Sequence, residues 1–342
     1  MTCSSPGFRT RILCILSIIA LLSPAGCKPD TNDNAVPRFA FIINVSGLFW
    51  DIAHAGCLQA AKEEGVDIDL FVPGQSTAAE QIQIIETLVS KGYAGMAISP
   101  LNPDSMTRIL DRATKHMLVI CMDSDAADSQ RLCYIGTDNV HLGRRMGDEL
   151  KKLVPEGGEV AVLAGQMDVS NSQGRYQGVV ESLSAEGDKY KILGPFSDGG
   201  DRPTCKSNAT DVLSKHPDLK AFVGLWGYHA FMAAAALNNN REHDITIVGC
   251  DEDIQTIYAI RDGKQEVSIA QRPYEFGYQS IKTLARIHRG EKVELPENKV
   301  IFVPTYKIDQ ANLAEKQKDV KDWLAKRDAL LSKDWLKEKA GS

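Results

Sequence analysis

Along this chain, short apolar runs alternate with longer stripes of helical spacing. Phe39–Val45 is an apolar run of strand length, and Phe49–Glu64 repeats its apolar positions at helical intervals. Asp67–Val72 alternates as a strand does, and Ala78–Lys91 places Ile82, Ile85, Leu88 and Val89 on one helical face. Ala94–Ser99 reads as a strand, Asp104–His116 as a helix and Leu118–Met122 as a strand. The alternation then restarts: helix Leu142–Leu153, strand Glu159–Ala164, helix Asn171–Ala185, strand Leu219–Leu225, the Ala-rich helix Tyr228–Asn238, strand Ile245–Cys250, helix Ile254–Asp262 and strand Val267–Ala270. Such βαβα order predicts the α/β class, with two Rossmann-like, doubly wound parallel sheets carrying helices on both faces. No Pro/Gly/Ser-rich linker separates the halves, so close hinges are expected rather than a flexible tether.

The N-terminus breaks this pattern. Arg9 and Arg11 precede an apolar run from Ile12 to Leu22, followed by Ser23, Pro24, Ala25, Gly26 and Cys27. A basic start, a short apolar core and small residues at the cut make a secretory signal over 1–27. The run is short of the ~20 apolar residues a spanning helix needs. Ala25-Gly26-Cys27 resembles a bacterial lipobox, which implies a lipid anchor on Cys27; Pro24 departs from that pattern, and an ordinary cleaved signal is the alternative. Residues 28–37 are polar and read as a tether.

Composition narrows the classes. A chain of 342 residues that is 43% hydrophobic and 25% charged is neither disordered nor a polytopic membrane protein. The net charge is −6, and loss of the leader leaves 37 basic against 45 acidic residues, so a general nucleic-acid binder is not expected. Outside the leader, Cys57, Cys121, Cys133, Cys205 and Cys250 form no CxxC pair, which suggests neither a zinc site nor a disulfide framework. Cys121 and Cys250 end apolar strands and read as core; a Cys121–Cys133 disulfide stays open. There is no GxGxxG, Walker loop, HExxH or GxSxG, and the seven histidines are scattered, so no cofactor, metal or enzyme activity is expected. Two acidic strand ends acting as a glycosidase pair are the remaining enzymatic alternative.

In open parallel sheets, ligands bind beyond the carboxyl ends of the strands. There the first strand is followed by Phe49 and Trp50, flat rings suited to the apolar face of a sugar, unless they only fill the core. Asp123-Ser124-Asp125 and Asp251-Glu252-Asp253 follow two other strands, and an ionised carboxylate accepts paired hydrogen bonds from vicinal hydroxyls. The competing reading is helix capping. Asn171 offers donor and acceptor. Arg175 clamps a ligand oxygen or holds a carboxylate, or else is a structural ion-pair residue. Trp226 is a candidate second stacking wall, His229 a hydrogen-bond partner, and Gln271 sits just before Pro273, where the chain crosses between halves.

Taken in order, these residues resemble the type I periplasmic sugar-binding proteins of bacterial ABC importers, the ribose-binding group, from about Arg38 to about Tyr306. Tyr134-Ile135-Gly136-Thr137-Asp138-Asn139 looks like that family's first lobe crossing, and Ile247-Val248-Gly249-Cys250-Asp251 matches its penultimate strand. Asp123-Ser124-Asp125, Asn171-Ser172 and Gln271-Arg272-Pro273-Tyr274 are similar to its glucose-binding branch. Ribose binders have an Arg where Ser124 stands and an Asn where Trp226 stands, and the glucose branch often has Asn where His229 stands. The resemblance implies lobes 38–137 plus 272–301 and 138–271 plus 302–313, joined by a three-strand hinge. It implies a monosaccharide ligand held by Phe49, Trp50, Asp123, Ser124, Asn171, Arg175, Trp226, His229, Asp251 and Gln271, and an ABC permease as partner. It also implies a monomer in the periplasm or at the cell surface. The alternative function is a sensor presenting a sugar or autoinducer to a receptor kinase. Residues 314–342, with Trp323, Leu324, Trp335 and Leu336, exceed the family core and read as an amphipathic helix packed on a lobe.

Overall fold

The computed structural model describes residues 36–237 and 244–331. The leader with Cys27, residues 238–243 and the end of the tail with Trp335 and Leu336 lie outside the described residues.

The first half runs β1 (Arg38–Ile42), α1 (Leu48–Glu64), β2 (Asp67–Phe71), α2 (Ala78–Ser90), β3 (Gly95–Ile98), α3 (Pro103–Ala113), β4 (Leu118–Met122) and β5 (Cys133–Gly136). The second runs α4 (Asn139–Leu153), β6 (Gly158–Ala164), α5 (Ser170–Ser184), β7 (Tyr190–Ser197), α6 (Arg202–Lys215), β8 (Leu219–Gly224), α7 (His229–Ala236), β9 (Thr246–Cys250), α8 (Ile254–Arg261) and β10 (Val267–Ala270). The chain then returns through α9 (Pro273–His288), β11 (Val300–Phe302), β12 (Tyr306–Ile308) and α10 (Leu313–Leu331). The sheets are ordered β11-β5-β4-β3-β1-β2 and β12-β10-β9-β8-β6-β7, the same winding twice. Neighbours are parallel except β12, which runs antiparallel to β10. Helix α9 packs on α1 and against β3–β5, so the returning chain completes the first lobe before β12 joins the second.

Both faces of each sheet are covered, which is why its strands read as continuous apolar runs. On β1, Phe39 and Phe41 enter one core cluster and Ala40 and Ile42 the other. On β6, Val160 and Val162 face one cluster and Ala161 and Leu163 its opposite. Losing a fully buried ring such as Phe41 would cost ~3–5 kcal/mol. Helix starts follow local chemistry: Thr77, Asn102, Asp138 and Asp201 each accept a first-turn N–H, and Pro103 and Pro203 occupy first-turn positions.

Six of these elements are not predicted by periodicity, for different reasons. β5 is only four residues long and leads straight into the first crossing. β7 contains Gly194 and Pro195 and is an edge strand, where Pro is tolerated. α6 buries only Cys205, Ala209 and Val212, too few for an apolar stripe. α9 begins at Pro273, which ends a strand but starts a helix well. β11 and β12 are three residues each. The disulfide question is closed: Ile120, not Cys121, is opposite Cys133, so the two thiols lie on opposite faces of the sheet and all five described cysteines are free.

Candidate functional site

The two sheets direct their strand ends at one cleft. Asp123 follows β4 and Asp251 follows β9, equivalent places in the two windings. Both adopt left-handed backbone, φ 60° and 65°, a conformation that Asp tolerates better than most residues. Each N–H still bonds the neighbouring strand, Asp123 to Ile135 O at 3.3 Å and Asp251 to Ile269 O at 3.2 Å. Each carbonyl is also held, by the Tyr134 hydroxyl at 2.9 Å and the Ser268 hydroxyl at 2.6 Å. The turn therefore re-aims the carboxylates without breaking the ladder. Neither caps a helix: Asp253 caps α8 by accepting from Gln255 N at 2.8 Å.

Between the lobes lies a cavity with about 720 Å³ of empty space, its open mouth included. Phe49, Trp50, Asp123, Asn171, Arg175, Trp226, Asp251 and Gln271 all line it. Trp50 is 5% exposed and packs edge-on to Phe41 and Phe49, so it is largely core; Phe49 is half-buried. Trp226, from the β8 end, is packed with its indole over Gly165, where an added Cβ would come within 2.4 Å of the ring.

Two of the expected ligand residues are not on the wall. Ser124 is fully buried and its hydroxyl meets that of Ser170 at 2.9 Å, a lobe-to-lobe contact. Its neighbour Asp125 forms a bidentate ion pair with the buried Arg131, so this segment serves the junction rather than the cavity. His229 is fully buried behind Trp226, with parallel rings 6.1 Å apart. Its Nδ1 accepts from Trp226 N–H at 2.9 Å, which puts the ring proton on Nε2, 3.1 Å from Asp198 Oδ2. Burial lowers the His229 pKa despite Asp198, so the ring is neutral. Burial alone would raise Asp198, but the adjacent His229 ring N–H, the Tyr228 hydroxyl at 2.6 Å and the Gly200 N–H bring it below its ordinary value. Asp198, Cys205 and His229 cluster closely enough to suggest a metal site. A metal on Nε2 would require an imidazolate, because Nδ1 is already an acceptor; the cluster reads as a close carboxylate–imidazole pair beneath the wall.

The wall includes residues that sequence reasoning did not assign to it: Asn44, Tyr228, Arg202, Glu252 and Asp253. Glu252 and Asp253 stood beside Asp251 in the acidic step. Asn44 lay inside the run read as strand, and Arg202 in the unread α6. Arg202 Nη2 approaches Asp253 Oδ2 at 3.8 Å.

The polar groups form a network with open ends. Asn44 Nδ2 donates to Ser99 Oγ at 3.1 Å, and Ser99 Oγ to Asp123 Oδ2 at 2.8 Å. Gln271 Nε2 donates to Asp251 Oδ1 at 2.9 Å. Arg175 is 2% exposed; Nη1 donates to Leu225 O at 2.8 Å and lies 4.0 Å from Asp251 Oδ2, while Nε donates to Asn139 Oδ1 at 2.9 Å. Gly143 lets α4 approach here, since a Cβ would fall 2.1 Å from Arg175 O. Arg175 is thus both structural and on the wall. Burial pushes Asp123 up to about 6, against the Arg175 charge and the Ser99 bond. Burial, with Asp251 and Asp319 adding to it, raises Glu252 well above its ordinary value. Five buried atoms on this wall have no protein partner: Asn44 Oδ1, Arg175 Nη2, Trp226 Nε1, Glu252 Oε1 and Gln271 Oε1. Unpaired buried polar atoms are costly, and here two donors and three acceptors belong to residues that line one cavity.

The sequence model of the periplasmic binding protein domain matches residues 39–292. The D-allose-binding periplasmic protein of Escherichia coli (strain K12) is 26% identical over 81% of this chain and 94% of its own length. The ribose import binding protein of the same organism is 25% identical with the same coverage. Among solved structures, an ABC transporter solute binding protein from Burkholderia graminis in complex with D-arabinose superposes with a TM-score of 0.77 at 28% identity, covering 81% of this chain and 96% of that one. A glucose-galactose binding protein from Geobacillus stearothermophilus gives a TM-score of 0.75 at 26% identity, covering 82% of this chain and 99% of that one.

Proposed function

The chain belongs to the periplasmic binding protein domain family, and on that premise we propose that it captures a monosaccharide between its two lobes outside the cytoplasm and delivers it to an ABC permease. The observation that carries this reading is the set of five unpartnered buried polar atoms on one cavity that is also lined by Phe49 and Trp226. A pyranose or furanose has the matching chemistry: hydroxyls that each donate and accept, and apolar faces that stack on rings. Asp123 and Asp251 accept hydroxyl pairs, Arg175 Nη2 and Trp226 Nε1 donate to ring or hydroxyl oxygens, and Asn44, Gln271 and Glu252 fix the rest. An epimer would leave one of these atoms unpaired, which makes binding stereospecific.

The lobes are 38–137 plus 272–301 and 138–271 plus 302–313, and they close on the ligand about the three crossings. Ligand closes them only because it contacts both lobes at once, and so binds the closed state better. The family is one of solute-binding proteins rather than enzymes, which supports binding without catalysis. The leader supports export, and Ala25-Gly26-Cys27 supports a lipid anchor on Cys27 for a monomer held at the membrane. Mass spectrometry of small molecules released from the protein purified from its native host tests the assignment. A pentose, hexose or related polyol is expected; an amino acid or nucleoside in stoichiometric amount would overturn it.

A further inference from the structure

Helix α10 lies beyond the residues matched by the family, 39–292, and it touches both lobes. Leu313 and Val320, 9% and 1% exposed, share one apolar cluster with Ile52 of α1 on the first lobe and Ile257, Ile260, Ala270 and Ile308 on the second. Its start is tied to the second lobe: Asn312 Nδ2 donates to Lys307 O at 2.7 Å, and Gln310 Nε2 to Arg261 O at 3.3 Å. Further along, its contacts move to the first lobe. Trp323 stacks on Tyr274 of α9 at 6.3 Å and 19°. Lys326 Nζ donates to the Tyr274 hydroxyl at 2.8 Å, and Arg327 Nη1 meets Asp51 Oδ1 of α1 at 2.7 Å.

Both attachments lead to the cavity. Asp51 follows Phe49 and Trp50 in the first turn of α1. Lys316 Nζ lies 5.1 Å from the centre of the Tyr306 ring, whose hydroxyl bonds Glu252. We infer that α10 is a strap across the lobe junction, holding the α1 turn and Glu252 in register and limiting how far the lobes open. Hinge opening separates Ile52 from Ile257 and Ile260, so it breaks the cluster around Val320 or drags the helix off one lobe. Contacts made only in the closed arrangement favour that arrangement by their full differential free energy. Trp323 and Arg327 are positioning residues in this scheme and line no part of the cavity.

The slower release of ligand rests on the sugar-capture reading; the limited opening does not. In the full chain, Trp323→Ala/Arg327→Ala is expected to enlarge the ligand-free radius of gyration in small-angle X-ray scattering. The ligand-saturated value stays unchanged and sugar dissociation in stopped-flow speeds up about tenfold. Arg327→Asp alone shifts the ligand-free curve the same way, and Asp51→Arg/Arg327→Asp restores part of it. Ligand-free curves superimposable on the parent's for both Trp323→Ala/Arg327→Ala and Arg327→Asp, with helical circular dichroism intact, would overturn the strap. Absence of any sugar binder leaves this scattering comparison decisive by itself.

Discussion

Asn171 Nδ2, on α5 of the second lobe, donates to Asp123 Oδ2, at the end of β4 in the first, across 3.2 Å. With Ser99 on the same oxygen, this carboxylate is where the lobes meet at the ligand space. Asp123→Asn keeps the size and tolerates the left-handed backbone but removes the charge. It should weaken sugar binding by about 1.5–3 kcal/mol, roughly one to two decades in Kd by calorimetry. A loss under half a kcal/mol would reduce Asp123 to a structural role.

Binding should depend on pH through the same group. Burial raises Asp123 to about 6 in the free protein. Hydroxyl donors favour the ionised form, so ligand lowers that pKa and releases a proton. Affinity is then full above about pH 7 and falls as pH drops through 6. For folding the sign is opposite: a carboxyl raised from 3.8 costs stability as pH rises through about 6, and acid relieves that cost. Calorimetry at pH 5 and 7.5, in buffers of different ionisation enthalpy, reads the proton release directly; equal affinities would refute it.

Gly165 gives a test of the aromatic wall. A Cβ there would meet the Trp226 indole at 2.4 Å, so Gly165→Ala must displace the ring. Binding should fall about tenfold or more, because the indole leaves the position in which it lines the cavity. Unchanged affinity would mean that Trp226 does not touch ligand.

His229 should matter without touching sugar. His229→Phe retains a ring but leaves the Trp226 backbone N–H without its acceptor, a cost of about 1–3 kcal/mol for the buried group, and removes the ring nitrogen beside Asp198 Oδ2. The expected signs are a shifted Trp emission in the ligand-free protein and weaker binding together with lower stability. Loss of affinity with emission and stability intact would return His229 to the cavity wall.

The sequence showed the winding because both sheets are covered on both faces, making strands such as Phe39–Val45 and Ile245–Cys250 apolar throughout. It showed the strand-end residues because ligand sites of this topology lie there. It did not show which side each residue takes. Ser124 and Asp123 are adjacent, yet the left-handed turn sends one to the lobe junction and the other to the cavity. His229 follows Trp226 just past a strand, where a ligand residue is expected, and its ring lies parallel to the indole, fully buried. Asn44 and Arg202 reach the cavity by tertiary proximity, which periodicity does not encode.

The central claim is that the cleft binds a monosaccharide. Titrating the ligand-stripped protein with a panel of aldopentoses, aldohexoses, ketoses and polyols, following Trp fluorescence and heat, tests it most directly. Saturable binding of at least one, with its epimers at least tenfold weaker, is predicted; no binder across the whole panel would contradict it.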